Sequence, residues 1–465
     1  MNRAHTESDS QHPEQHSSQH SQHTNQNNSL WRQRGYPQWF TADTTFTLMG
    51  AIHGFVISLL VIAETGSAAQ AGIVTSAGLL ASGITSFFGG WYQDRFDRKK
   101  IAISHGLLGA FWYGLAIVLL ITGNFTFVSA MILAIGLGIR SGLGGNVTDV
   151  MLRSFLPANI LPKAISVGQA RDAVVEFTGP PIAGFLLGVG KILPYTVNVA
   201  LSLVGAIASY LLPDSVGKPA AAKAKNDVKP SDDATPNDEA NADATTTKTP
   251  KARFTFDELI AGFKITFSMR FLRVLATSGN LAFAVFNAMI TVCVWETVKI
   301  EGNAGFAGFV NTAVAIGVFV GAVAASKLTQ KAHGGAIVVL AYALPLLSTV
   351  LMGAFDSTYG RIAALLPAML LLPAGSAAMG SIQMLVVPDA KLGRMFSAIG
   401  VVELALSSAV FSAVGFLYEH LGYTTTIALG SAFMALCLAH IVSVRDIRQI
   451  PKAADYEEYA ATITQ

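Results

Sequence analysis

Residues 46–63 read FTLMGAIHGFVISLLVIA, an uncharged apolar stretch of the kind that recurs along the whole chain. A helix needs about 20 such residues to cross a hydrocarbon core of roughly 30 Å. Backbone polar groups in hydrocarbon must be bonded within the segment, so each stretch is predicted to be a helix. We predict twelve spans, at 41–63, 69–91, 101–122, 125–152, 164–188, 193–212, 271–297, 304–326, 334–354, 361–386, 395–418 and 423–443.

The composition indicates a membrane protein and argues against several other classes. Of 465 residues, 52% are hydrophobic and 13% charged, against roughly 25% charged in soluble domains. The net charge is +2 with no separate basic domain, which argues against nucleic acid as a partner. Cys293 and Cys437 lie in apolar stretches and are interpreted as packing residues, so no metal site or cofactor is predicted. Four histidines in the N-terminal tail could chelate a metal, but a flexible polar tail explains them better: His12, His16, His20 and His23.

The basic residues predict the orientation of the bundle. With the N-terminus inside, the cytoplasmic loops and both tails hold 26 of the 31 Lys and Arg residues. The opposite side holds only Lys191, Lys299 and Arg361, and two further arginines lie within spans. Because cytoplasmic loops carry an excess of Lys and Arg, we expect both termini to be cytoplasmic.

Composition also divides the chain into segments. The polar N-terminal residues and the Ala-, Lys-, Asp-, Thr- and Pro-rich centre are too polar to build a core and are interpreted as disordered. Residues 254–269 are predicted to form an amphipathic helix at the interface. The predicted segments are an N-terminal tail 1–38, a six-helix half 39–213, a flexible linker 214–253, a second six-helix half 254–444 and a C-terminal tail 445–465.

The two halves are related by an internal repeat. A shift of 231 positions superposes several landmarks without gaps, among them Gly90 on Gly321, Pro157 on Pro388, Lys163 on Arg394, Asp172 on Glu403, and Gly184-Phe185-Leu186 on Gly415-Phe416-Leu417. Gly and Leu are abundant here, but a constant offset across three separated regions is hard to obtain by chance. Parallel repeats of this kind place a substrate path between the halves, near the middle of the membrane.

The connection after the second span carries a motif. Residues 89–100 read GGWYQDRFDRKK, and the basic residues alone would anchor this loop in the cytoplasm. Gly90 lies four residues before Asp94 and is followed by Arg95 and Arg98. This spacing resembles the signature loop of the major facilitator superfamily, Gly-x-x-x-Asp-Arg-x-Gly-Arg-Arg/Lys.

The resemblance extends over nearly all of the membrane region. It includes Pro388, Gly393 and Arg394 before the eleventh span, whereas Asp97 stands where the family usually has Gly. The sequence Asp-Arg-Phe-Asp-Arg-Lys is typical of a drug- and siderophore-exporting branch that includes macrolide and enterobactin exporters. The resemblance implies an all-α membrane fold of twelve transmembrane helices in two pseudo-symmetric six-helix halves.

Two functional motifs follow from the resemblance. In the family, the loop aspartate and arginine pair with an acid at the end of the fourth span, a place that Asp149 occupies. A gating network of Gly90, Asp94, Arg95, Arg98 and Asp149 is therefore expected, with a static ion pair as the alternative.

The fifth span carries a second motif, GPPIAG at residues 179–184. A buried Pro kinks a helix and Gly lets a neighbour approach closely. The string resembles the antiporter motif Gly-Pro-x-x-Gly-Gly, with Ala183 in place of one Gly. Gly179, Pro180 and Gly184 are therefore a candidate functional kink, and a plain proline kink is the alternative.

Charge inside the spans points to a coupling site, because such charge is costly and usually functional. Asp172 and Glu176 are four residues apart and share one helix face. Each carboxylate disfavours ionisation of the other, which suits a reversible proton site. Arg140 is a candidate counter-charge, and Glu403 is a further buried candidate in the eleventh span.

Three other polar residues in spans have plainer explanations. Asp43 and Arg171 lie near the cytoplasmic end and can snorkel to the interface. His53 is interpreted as a hydrogen-bonded packing residue. Glu176 and Glu403 lie deeper, so solvation at the interface explains them poorly.

These features predict a secondary transporter. The leading hypothesis is proton-coupled efflux of an amphipathic small molecule by alternating access, by a monomer in a bacterial cell membrane, with the proton gradient as energy source. A proton-linked importer or facilitator is one alternative, and a transport-inactive scaffold or sensor is another. An enzyme or an ATP-driven pump is disfavoured, because the chain has no His-Glu-x-x-His, Gly-x-Ser-x-Gly or phosphate-loop pattern.

Overall fold

The fold is all-helical in the part of the chain that the structure describes, and no strand occurs there. The structure is a computed structural model. It describes residues 29–145, 147–156, 160–213, 216 and 256–463. The predicted linker lies almost wholly outside the described residues, as does most of the N-terminal tail.

Seven helices form the N-terminal half. Each helix coincides with all or part of an apolar stretch identified in the sequence, and the predicted fourth span is divided into two helices. They are α1 (Tyr36–Thr65), α2 (Ala68–Arg95), α3 (Arg98–Ile121), α4 (Phe127–Gly144), α5 (Val147–Phe155), α6 (Leu161–Val189) and α7 (Leu193–Tyr210).

The C-terminal half begins with the predicted interfacial helix. The seventh span contains one π-helical turn at Leu275–Gly279. The helices are α8 (Phe256–Ser268), α9 (Arg270–Glu301), α10 (Ala304–Lys331), α11 (Gly334–Ala354), α12 (Thr358–Leu365), α13 (Leu372–Val386) and α14 (Asp389–Ser443).

Ten helices among the described residues are long and apolar enough to cross a membrane. They account for eleven of the twelve predicted spans, because α14 contains two of them. The tenth predicted span falls on the shorter helices α12 and α13. Gly422 lies between the two arms of α14, with φ 75° and ψ 178°. Glycine is suited to this positive φ because it has no Cβ.

The helix ends define two faces of the bundle. Four glycines with positive φ follow helices on one face, here called the turn face: Gly66, Gly123, Gly302 and Gly422. The other face carries the connection between Arg95 and Arg98 and is called the basic face. Because the chain alternates between faces, α1 and α14 place both described ends of the bundle on the basic face.

Parts of both predicted tails are folded in the structure. The predicted tail 1–38 includes Leu30 and Tyr36, both buried against Trp39 in a small apolar cluster. Beyond α14 the chain forms α15 (Arg445–Arg448) and α16 (Tyr456–Ile463), and α16 packs on α13. Aromatic and aliphatic side chains at both ends therefore extend the folded bundle at the basic face.

Candidate functional site

The first seam between the halves joins α2 to the first arm of α14. A Cβ placed on Gly72 would lie 2.5 Å from the carbonyl oxygen of Phe411, so the backbones are in direct contact. The Ser76 hydroxyl donates to the carbonyl oxygen of Ser408 at 2.7 Å and accepts from the Ser412 hydroxyl at 2.8 Å. Glycine and serine thus allow a close, hydrogen-bonded approach.

At its turn-face end, the first seam contains a carboxylate that accepts hydrogen bonds from the other half. Glu419 of α14 accepts from the Ser67 hydroxyl at 2.5 Å and from the backbone N–H of Ala69 at 2.8 Å. Ser67 is the N-cap of α2, where it also accepts from the N–H of Gln70 at 3.2 Å. A carboxylate at a helix N-terminus is stabilised by the unpaired N–H groups there.

The second seam joins α6 to α10 and repeats the first in outline. A Cβ on Gly184 would lie 2.6 Å from the carbonyl oxygen of Ala304, and one on Gly308 would lie 2.6 Å from Cα of Pro181. A Cβ on Gly188 would lie 2.7 Å from the side-chain oxygen of Asn303, the N-cap of α10. The candidate kink motif therefore lies where the halves meet on the turn-face side.

A cavity of about 460 Å³ lies between the halves, on the basic side of both seams. His53, Tyr113 and Arg140 line it from the N-terminal half, and Thr291 and Asn311 from the C-terminal half. Most of the remaining lining is apolar or small. Among the described residues that line it, Arg140 carries the only formal charge.

A second hollow continues towards the basic face between α2 and α14. Leu79 lines both spaces, and the second is lined further on by Ser86, Ser397 and Glu403. Glu403 is exposed on this wall. The seams lie on the turn-face side of the central cavity, and the second hollow lies on its basic-face side.

Arg140 is held at the wall of the central cavity. The residue is 7% exposed, and its Nε donates to the carbonyl oxygen of His105 at 2.7 Å. One terminal nitrogen lies 3.6 Å from the sulfur of Met49. Arg140 makes no ion pair with any described residue, so the structure does not bring it to Asp172 or Glu176 as the predicted counter-charge.

Asp43 and Arg171 form a buried ion pair between α1 and α6, with 2.5 Å between nitrogen and oxygen. Each side chain is 9% exposed. The Thr148 hydroxyl donates to the other Asp43 oxygen at 2.6 Å, and Trp39 donates to the Thr148 carbonyl oxygen at 2.7 Å. Snorkelling to the interface is therefore the wrong account of Asp43 and Arg171, because both charges are satisfied inside the protein.

The two acids of α6 have different surroundings. Asp172 pairs with Arg171 at 2.6 Å and is 51% exposed, so it does not share a buried site with Glu176. Glu176 is exposed and lies about one helical turn before Pro180, which lines the central cavity. Glu176 therefore lies on about the same face of α6 as Pro180, one turn nearer the basic face.

The structure describes only part of the predicted gate. The side chain of Asp94 and the surroundings of Gly90 lie outside the described residues. Arg95 is exposed, and Arg98 donates from Nε to the carbonyl oxygen of Gln93 at 3.3 Å. Asp149 is exposed in α5 and makes no ion pair with a described residue. The gating network stays a prediction.

Sequence reasoning missed Glu419 and the carbonyl of His105. Glu419 lies at a predicted span end, where an acid is unremarkable. A signal was present, because Glu419 occupies the repeat position of Gly188, and each of these residues lies at the N-cap of a helix in the other half. The backbone contact of Arg140 has no sequence signal at all.

Comparison with known proteins agrees with this architecture. The sequence profile of the Major Facilitator Superfamily matches residues 40–412, and the chain belongs to this family of membrane transporters. No curated protein sequence matches the chain.

Solved structures similar to this chain are transporters that share its fold. A nucleoside transporter aligns with a TM-score of 0.66 at 11% identity, covering 87% of this chain and 99% of that one. A D-xylose-proton symporter aligns with a TM-score of 0.60 at 14% identity, covering 89% and 97%. The inward open conformation of the xylose transporter of E. coli aligns with a TM-score of 0.59 at 13% identity, covering 92% and 99%.

Proposed function

We propose that the chain is a proton-coupled exporter that moves an amphipathic small molecule by alternating access. The observation that carries this proposal is the central cavity, which both halves line and which two seams separate from the turn face. Rocking the halves about this cavity would break the seams and close the hollow at the basic face. Its mixture of apolar and polar lining suits an amphipathic cargo.

Orientation and direction belong to the same proposal. The excess of Lys and Arg supports a cytoplasmic basic face, so the conformation described here would receive cargo from the cytoplasm. The exporter-like sequence motif after the second span supports efflux. The position of Gly184 and Pro181 in a seam supports a role for the kink motif in closing the outer side. A monomer in a bacterial cell membrane suffices for this cycle.

Glu176 and Glu403 are the proposed proton-coupling acids. Both are exposed, one on each half, on helices that take part in a seam. Glu403 lines the second hollow, and Glu176 lies about one helical turn from Pro180 of the cavity wall. Protonation would change the charge of this path without breaking an ion pair. Only interactions that differ between the two facing states can bias their equilibrium, and a carboxylate in a path that opens and closes meets this condition.

The test is proton movement driven by cargo. Proteoliposomes are loaded with a pH-sensitive dye, and ethidium, erythromycin or a catecholate siderophore is added under an imposed pH gradient. We expect at least one probe to drive proton movement, and Glu176→Gln with Glu403→Gln to abolish it. Glu64→Gln is the control, because Glu64 pairs with Lys191 at 2.7 Å at the turn face, away from the cavity.

Proton movement that survives the double substitution would refute the assignment of Glu176 and Glu403 as proton-coupling residues. Uptake of probe along the proton gradient would refute export and support the importer. Probe flux with no proton movement would indicate a facilitator. Absence of flux with every probe would count against transport of these cargo classes.

A further inference from the structure

We infer that Arg140 is the anion-recognition group of the central cavity, and that the cargo is an organic anion with an apolar body. A carboxylate is the simplest such group. The inference rests on the proposed function in one respect, since it takes the central cavity as the cargo site.

The guanidinium has donors to spare. Nε is committed to the carbonyl oxygen of His105, which fixes the plane of the group. Among the described residues, one terminal nitrogen has only the Met49 sulfur, at 3.6 Å, as a hydrogen-bond partner, and the other nitrogen has none. Arginine presents five N–H donors in a fork that matches a carboxylate. The unused part of this fork belongs to a residue that lines the cavity.

Among the described residues, no acidic side chain neutralises this charge. Arg140 is 7% exposed, and no described acid forms an ion pair with it. A buried charge without a counter-ion is costly, and inside a membrane it is usually functional. Arg171 provides the contrast in the same half, because two carboxylates contact its guanidinium. A ligand anion would supply to Arg140 what Asp43 supplies to Arg171.

The surroundings make room for the guanidinium and for a bound group. A Cβ on Gly109 would lie 2.9 Å from a terminal nitrogen of Arg140, so Gly109 leaves the space that the guanidinium occupies. Asn311 lines the cavity from the other half and makes no hydrogen bond to a described residue. The apolar remainder of the wall, including Leu137, Ile290 and Phe411, suits a hydrocarbon or aromatic body.

Three matched probes test the inference by equilibrium dialysis. Biphenylacetate is an anion, its methyl ester is neutral, and biphenylmethylamine is a cation of the same body. Purified full-length protein in detergent is dialysed against each probe, with protein-free micelles as the blank. We expect the anion to bind at least roughly tenfold more tightly than the other two, the scale of one charge-assisted hydrogen bond. Equal or tighter binding of the ester or amine, or no binding of the anion, would overturn the inference.

Substitutions assign the preference to Arg140. Arg140→Gln is expected to weaken anion binding by roughly ten- to hundredfold, with little change for the ester. Arg140→Lys should retain part of the preference, because it keeps the charge and loses the fork. Gly109→Ala should weaken anion binding by displacing the guanidinium. Lys191→Gln is the control, since that lysine is 56% exposed at the turn face. Unchanged anion preference in Arg140→Gln would overturn the assignment.

The outcomes separate this inference from the proposed function. Dialysis measures binding alone, so it does not depend on proton coupling or direction. An anion preference with no proton movement would support Arg140 and refute coupling. Proton movement driven by cationic or neutral probes, with no anion preference, would support coupling and refute the anion site.

Discussion

The two seams between the halves occupy equivalent positions in the repeat and differ in chemistry. Gly184 and Gly415 are 231 residues apart, and a Cβ on each would meet the carbonyl oxygen of the first residue of its partner helix, at 2.6 Å and 2.5 Å. One turn further along, the residues differ. Gly188 faces the N-cap of α10, whereas Glu419 binds the N-cap of α2.

This difference separates two ways of closing one face. The α6–α10 seam is held by backbone proximity, which depends on the absence of side chains. The α2–α14 seam adds side-chain hydrogen bonds that cross between the halves, and the side chains that make them are Ser67, Ser76, Ser412 and Glu419. A steric seam tolerates no added volume, while a polar seam loses stability in graded steps. Substitutions in the two seams should therefore change the stability of the turn-face-closed state by different amounts.

Added volume in the steric seam should have the largest effect. Gly184→Val places methyl groups against the carbonyl oxygen of Ala304, and neither backbone can move without separating α6 from α10. Overpacking of this kind costs roughly 1–3 kcal/mol, so the ratio of turn-face-closed to turn-face-open molecules should fall up to about a hundredfold.

Spin-label distances measure this ratio. Labels at Asn124→Cys and Asp356→Cys are exposed on the turn face of opposite halves, and the native Cys293 and Cys437 are buried. Gly190→Val is the matched control, because a Cβ at Gly190 meets nothing within 4 Å. A Gly184→Val protein with the distance distribution of the unsubstituted chain would refute the steric description of this seam.

The sequence predicts the architecture well for physical reasons. Apolar length alone defines each span, and the offset of 231 residues relates Gly184 to Gly415 before any contact is known. The break between α12 and α13 and the π-turn in α9 are not predicted, because packing against neighbouring helices decides them. The gap predicted between the eleventh and twelfth spans does contain Gly422, whose non-helical backbone separates the two arms of α14.

The candidate site is predicted less completely than the fold. Charge inside a span is visible in the sequence, so Arg140, Glu176 and Glu403 are found. Their partners are not visible, because they depend on how helices face each other. Asp43 and Arg171 are 128 positions apart in the sequence, and only the packing of α1 on α6 turns two candidate snorkelling charges into a buried pair.

Loss of the carboxylate in the polar seam should have a smaller effect. Glu419→Ala removes the acceptor for Ser67 and Ala69 at the N-terminus of α2. Hydrogen bonds to charged groups contribute about 1.5–3 kcal/mol when buried, and this group is exposed, so a shift of roughly tenfold in the same label ratio is expected.

The control for Glu419→Ala is an acid on the same face within one half. Glu64 pairs with Lys191 at 2.7 Å, and both residues belong to the N-terminal half. Glu64→Ala should therefore leave the ratio of turn-face-closed to turn-face-open molecules unchanged, because the contact between Glu64 and Lys191 is the same in both states. Equal shifts from both substitutions would show that turn-face charge in general, and not the bond across the seam, controls closure.

The smallest effect is expected from Ser76→Ala, in the middle of the polar seam. The substitution removes the hydrogen bonds with Ser408 and Ser412, and keeps the helix, since Ala is a good helix former. A net contribution of about 1 kcal/mol predicts a roughly fivefold shift. Ser209→Ala is the control, because Ser209 is buried and bonds only within its own helix, to Gly205. A shift for Ser76→Ala as large as that for Gly184→Val would mean that hydrogen bonding, and not backbone proximity, holds both seams, and the distinction between them would fail.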